Sequence, residues 1–143
     1  MNTKVFFLGP MVSIVFSCHT VRKDKTSKHT DCISHVIAAD DSLGKIRNTE
    51  CETLPLSQTI VNYTHGMQKI NMRNCPKAFI KVFQDHVNAW NAIRVVTDRY
   101  PEKRGEMHVL FKELEQSKDS VEFKKLQGNI WATWTEVERA TKK

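Results

Sequence analysis

Apolar residues recur at helical spacing through the second two-thirds of the chain, and no segment alternates them with polar ones as a half-buried strand would. Leu56, Ile60, Tyr63, Met67 and Ile70 follow one another at steps of four, three, four and three, which predicts a helix over Pro55–Ile70. Pro55 suits a helix start because its missing N–H needs no partner there. A second helix is expected from Cys75-Pro76, with Phe79, Phe83, His86, Trp90 and Ile93 on one stripe, ending before Tyr100-Pro101 because the residue before proline disfavours helical geometry. Met107, Leu110, Phe111 and Leu114 predict a third over Glu102–Glu115, with Glu102 and Glu106 near its positive end. Phe123, Leu126, Ile130, Trp134 and Val137, with Trp131 beside them, predict a fourth from Asp119 to about Ala140, where Asp119 and Glu122 have capping-box spacing. Gly66 and Gly128 interrupt two of these stripes, and each points to a place where another helix packs closely.

The stripes and short connections predict an all-α protein: a single antiparallel bundle of about four helices over residues 49–143. What precedes it is different in kind. Met1–Cys18 reads MNTKVFFLGPMVSIVFSC, with a single charge at Lys4 and none from Val5 to Phe16. A helix of about twelve residues spans about 18 Å, short of a hydrocarbon core of roughly 30 Å, so the run fits a secretory signal over residues 1–17 better than a membrane span. His19–Asp31 (HTVRKDKTSKHTD) has no large apolar residue except Val21 and reads as a disordered spacer. Cys32–Asn48 is ambiguous. Ile33, Val36 and Ile37 allow a short helix or strap, and Asp40-Asp41-Ser42-Leu43-Gly44 is turn-like. Residues 18–48 are therefore expected to form a flexible tether.

Two resemblances follow from particular residues. Val15-Phe16-Ser17-Cys18 resembles the lipobox of bacterial lipoproteins, which implies cleavage before Cys18 and lipid on its sulfur. Leu54–Tyr63 (LPLSQTIVNY), Asn74–Trp90 (NCPKAFIKVFQDHVNAW), Arg104–Phe111 (RGEMHVLF) and Trp131–Glu138 (WATWTEVE) together resemble a group of small exported proteins of Bacteroidetes-type bacteria. The second resemblance implies a helical extracytoplasmic domain behind a signal, and brings no activity or catalytic residues with it. The expected place is then the bacterial cell envelope, lipid-anchored and facing the periplasm or the cell surface.

An oxidising compartment permits disulfides, and Cys32, Cys51 and Cys75 remain once Cys18 is assigned to lipid. The predicted first helix separates Cys51 from Cys75 by about 24 Å, against the roughly 4.4–6.8 Å between Cα atoms that a disulfide requires. A Cys32–Cys51 pair closes a local loop more easily; pairing of Cys75 with either, or no disulfide, stays open. At a helix start the Cys75 thiol would ionise readily, but His86 lies about 16 Å further along the same helix, a poor distance for a nucleophile and its base.

No G-x-S-x-G, P-loop, dinucleotide or C-x-x-C-H pattern is present, so no enzyme and no cofactor is expected. His65, His86 and His108 fall on three different helices, where convergence would make a metal or, with Met67, a haem site; they share no ligand spacing, and no metal is assigned. The net charge of +6 is spread along the chain rather than gathered on one helix face, so nucleic acid is not an expected partner. The remaining class is a binding or interaction module. Trp90, Trp131, Trp134 and His86 are its candidate binding residues, the membrane is a partner through the anchor, and an envelope protein, a glycan or a small apolar ligand is the candidate second one. The alternative is a metal- or haem-binding bundle in the periplasm.

Overall fold

The computed structural model describes residues 23–142, with side-chain surroundings from residue 27 onward; residues 1–17, expected from the sequence to be a signal, and Cys18 lie outside the described residues. Among the described residues every regular element is a helix: α1 (Lys23–Glu50), α2 (Leu56–Gln68), α3 (Lys77–Ala92), α4 (Arg94–Thr97), α5 (Met107–Leu114) and α6 (Ser120–Thr141). The four long helices run alternately up and down, and they pack in the ring order α1, α2, α3, α6. Pairings along neighbouring helices show the antiparallel sense. Leu43 of α1 meets Gly66 of α2 and Glu50 meets Asn62, while His86 of α3 meets Thr133 of α6 and Arg99, just beyond α4, meets Asp119 at the start of α6. The tightest seam is α3 on α6. Phe79, Phe83, Trp90 and Ile93 on one side, and Phe123, Ile130 and Val137 on the other, are buried in one core with Leu56, Ile60 and Met67 of α2.

The predicted first, second and fourth helices correspond to α2, α3 and α6, and their apolar stripes form this core. The break between α3 and α4 at Ile93 lies inside the span expected as one helix. The third predicted helix starts five residues late, at Met107, because the backbone before it is committed elsewhere. Lys103 O accepts from Leu56 N at 2.7 Å, Gly105 N donates to Cys51 O at 2.8 Å, and Gly105 takes φ +143°, which favours glycine. Glu106 then caps α5, its carboxylate accepting from the backbone N–H groups of His108 (3.1 Å) and Val109 (2.9 Å).

The tether expectation fails for residues 23–48. They belong to a 28-residue helix. Val36 is fully buried, Ile33, Ile37 and Leu43 pack on the core, and Asp40–Gly44 lies within the helix rather than in a turn. The glycine reading is half right. A Cβ on Gly66 would stand 2.7 Å from Leu43 Cδ2, so α1 and α2 approach closely there, whereas Gly128 has nothing within 4 Å of its Cβ position.

Cys32 is bonded to Cys75 across 43 residues, with Cα atoms 5.2 Å apart, and Cys51 is a buried free thiol. The local Cys32–Cys51 loop does not form because about 19 residues of helix at 1.5 Å per residue hold residue 32 and residue 51 roughly 28 Å apart; the helical hairpin brings residue 32 to the start of α3 instead. Closing a loop of this length removes about 4 kcal/mol of unfolded-state entropy in the chain-entropy model. Reduction, or Cys75→Ser, is expected to lower unfolding free energy by about 2–4 kcal/mol in urea titrations. An unchanged midpoint would show that α1 is held without the covalent link.

Candidate functional site

Side chains from all four long helices meet on the inner side of α1. Asp40 and Arg47 are seven residues apart on α1, and so point to the same side of the helix. Tyr63 comes from α2, His86 and Trp90 from α3, and Thr133 and Trp134 from α6. The Arg47 guanidinium lies 4.6 Å from the centre of the Tyr63 ring and 4.4 Å from that of Trp90. The two rings meet edge to face at 5.1 Å. Asp40, almost wholly buried, accepts a hydrogen bond from the Tyr63 hydroxyl at 2.8 Å.

His86 is fixed on both ring nitrogens. Trp90 Nε1 donates to Nε2 at 3.2 Å, which leaves Nδ1 to carry the proton and face Thr133 Oγ1 at 3.0 Å. The Thr133 hydroxyl in turn reaches the α6 carbonyls of Asn129 and Ile130. The imidazole also packs on the Trp134 ring at 5.2 Å between centres.

Burial sets the protonation states. It pushes His86 down to about 4, against the hydrogen bond to the Ile130 backbone, which favours the charged ring; nearby Arg47 adds to the depression. Burial raises the Asp40 carboxyl, opposed by the Tyr63 hydrogen bond and by Arg47. It raises the Tyr63 phenol well above its usual range and, with the sign reversed for a cation, lowers the Arg47 guanidinium. The Cys51 thiol is raised too, chiefly by burial, so it stays protonated.

Two cavities open beside this cluster, between α1 and α6. One, of about 390 Å³, is walled by Asp40, Gly44, Arg47, Tyr63 and Trp134. The other, of about 640 Å³, is lined chiefly by Ile33, Ile37, Ala38, Pro76 and Thr141. Ile37 and Asp41 border both, so they form successive stretches of one groove along α1. The groove exists because α1 and α6 approach each other least among ring neighbours.

The sequence-predicted residues scatter around it. Trp134 lines the groove. Trp131, one turn earlier on α6, is 62% exposed. Trp90 and His86 are 6% and 3% exposed, so they support the groove wall from inside rather than offer a surface. The three histidines do not converge. His65 is exposed, His108 is exposed and bonded to Glu106 at 2.7 Å, and among the described residues no group of three His, Cys, Asp or Glu is placed to hold a metal. Cys75 is consumed by its disulfide and is not an ionised nucleophile. Asp40, Arg47 and the groove itself went unnoticed in the sequence, where Asp40 read as part of a turn and Arg47 had no evident partner.

No family model, curated protein or solved structure matches this chain.

The His86 environment has a consequence for stability against pH. The folded ring binds its proton only near pH 4, and the unfolded ring near 6.5. Between those values the unfolded state holds more protons, so stability is complete above pH 6.5 and falls as pH drops toward 4, by roughly 3 kcal/mol in all from this group. Urea midpoints are expected to decline from pH 7 to pH 5. His86→Gln is expected to be less stable at pH 7.5 but flatter over that range; an equally steep decline in the variant would assign the slope to other groups.

Proposed function

We propose that the protein is a binding module of the bacterial cell envelope, tethered to the membrane by lipid on Cys18, which takes a small ligand into the groove between α1 and α6. The observation that carries the binding part is the groove itself. It is walled by an aromatic ring and a guanidinium held in place from the core, and its two stretches are of the size that small-molecule sites occupy. Of the three partners the sequence leaves open, that size class favours the small ligand over an envelope protein or a glycan. The envelope part rests on the sequence, on the uncharged run from Val5 to Phe16 and the lipobox-like Val15–Cys18. A Cys32–Cys75 disulfide agrees with it, since such bonds persist in oxidising compartments.

No observation favours the metal- or haem-binding alternative. Both nitrogens of His86 are already engaged, and His65 and His108 sit apart from it on the surface. Nor is a catalytic reading favoured: the buried thiol of Cys51 is protonated, and the imidazole is committed to Trp90 and Thr133.

Feeding cells a labelled fatty acid is expected to mark the wild-type protein and leave Cys18→Ser unmarked; equal labelling of both rejects the anchor. For the groove, protein recovered from envelopes and extracted with solvent is expected to release a small molecule, detected by mass spectrometry, that Ala38→Trp does not retain. Ala38 is exposed on α1 and lines the larger cavity, so an indole there fills the groove without entering the core. Equal retention by both proteins would place binding elsewhere.

A further inference from the structure

Resting on that reading of the groove, we propose that its ligand is a linear amphiphile with a carboxylate head: an apolar chain along Ile33, Ile37, Ala38 and Pro76, and its head group on the Arg47 guanidinium.

The two stretches of the groove differ in chemistry. The larger presents mostly apolar surface, from Ile33, Ile37, Ala38 and Pro76, although His29, Thr30, Ser34, Asp41 and Thr141 also border it. The smaller is bordered by charged and aromatic groups. They lie end to end along α1, and residues 33 to 47 cover about 21 Å of helix at 1.5 Å per residue. A ligand filling both must be long, apolar over most of its length and polar at one end.

The charge at that end follows from how each ionic group is already used. Asp41 is paired with Lys45 at 2.7 Å. Asp40 is almost inaccessible, and the Tyr63 hydroxyl holds its carboxylate. Arg47 is different. Its Nε and one terminal nitrogen donate to the neutral side chain of Asn48 at 3.2 and 3.1 Å, and among the described residues no carboxylate lies within ion-pair distance of it. The Tyr63 and Trp90 rings flank the guanidinium on one side, with centres 4.6 and 4.4 Å away, and its N–H donors beyond those given to Asn48 lie in the guanidinium plane, the geometry that meets a carboxylate with two parallel hydrogen bonds. Gly44 keeps the approach clear. Even its Cβ position would be 3.9 Å from the guanidinium, and any longer side chain would stand in the cavity that Gly44 borders. A cationic head would be repelled by Arg47, and an uncharged one would leave its donors unmatched.

The test is isothermal titration calorimetry of the full chain with dodecanoate, dodecanol and dodecyltrimethylammonium, each below its micelle concentration. Dodecanoate is expected to bind at one site, at least about tenfold tighter than the other two, as expected for a hydrogen bond between charged groups. Arg47→Gln is expected to abolish that preference, bringing dodecanoate to within about twofold of dodecanol measured on the same variant. Because Arg47 also braces two rings, a second variant is needed that does not touch the cluster. Ala38→Trp, with unchanged circular dichroism, is expected to weaken all chains together. Equal affinity for dodecanol and dodecanoate would overturn the head-group assignment while leaving the groove reading intact. Dodecanoate binding that survives both Arg47→Gln and Ala38→Trp, or no binding of any probe, would overturn the proposal, and the retained-ligand comparison above would then judge the groove by itself.

Discussion

A guanidinium laid over two aromatic rings holds the first helix of this protein to the rest. α1 is 28 residues long but has only Val36 as a fully buried apolar side chain among its described residues. Most of its surface is charged or small, and apolar burial alone gives it little purchase. Arg47 supplies the missing attachment by covering the Tyr63 and Trp90 rings, one from α2 and one from α3. Such contacts contribute about 0.5–1 kcal/mol when exposed and about 2 when desolvated. Arginine suits the place because its delocalised charge is weakly hydrated and its flat face matches a ring. Burial disfavours the charged form, as the lowered Arg47 shows, and Asp40 nearby offsets part of that cost without forming a direct ion pair.

The groove is a consequence of how few attachments α1 has. At one end Cys32 fixes it to the start of α3, and toward the other Asp40 and Arg47 fix it to α2 and α3. Between them Leu43 lies against Gly66, so α1 leans on α2. All of these attachments pull α1 to the α2–α3 side of the ring. None pulls it toward α6, which is already engaged along α3 by Phe123, Ile130 and Val137. The fourth side therefore stays open.

The parts of this architecture legible in the sequence were those where one physical signal acts alone. α2, α3 and α6 each bury a regular stripe, and periodicity finds such stripes directly. α1 is only half legible, as a short helix or strap over Cys32–Asn48, because polar residues take positions on its inward side: Ile33, Val36, Ile37, Asp40, Leu43 and Arg47 do keep helical spacing, but two of the six are charged. Aspartate, serine and glycine in a row are also strong turn formers, and tertiary contacts overrode that preference. The start of α5 was misplaced for a similar reason, since Gly105 and Lys103 make backbone bonds to distant loops that no local pattern encodes. The site was harder still. Trp134 was named as a candidate, but its neighbours Arg47 and Tyr63 come together only through the ring order of the helices, and a single periodic stripe carries no information about which helix lies opposite.

The same inner polar chain that stabilises the bundle also determines the shape of the groove. Trp134 stands between the cavity and His86, and His86 cannot turn without losing Trp90 on one nitrogen or Thr133 on the other. Thr133 is the residue before Trp134 on α6, so one turn of helix is fixed both by its backbone and by the imidazole. On the opposite wall, Trp90 donates to that imidazole and supports Arg47 with its face. The guanidinium and the indole that border the cavity are thus linked through two buried side chains. A wall held this way is ordered before anything enters it, which spares a ligand the cost of freezing it. It follows that a change at His86, which no ligand can touch, would alter binding through both walls at once, whereas a change at exposed Trp131 on α6 would leave their geometry alone.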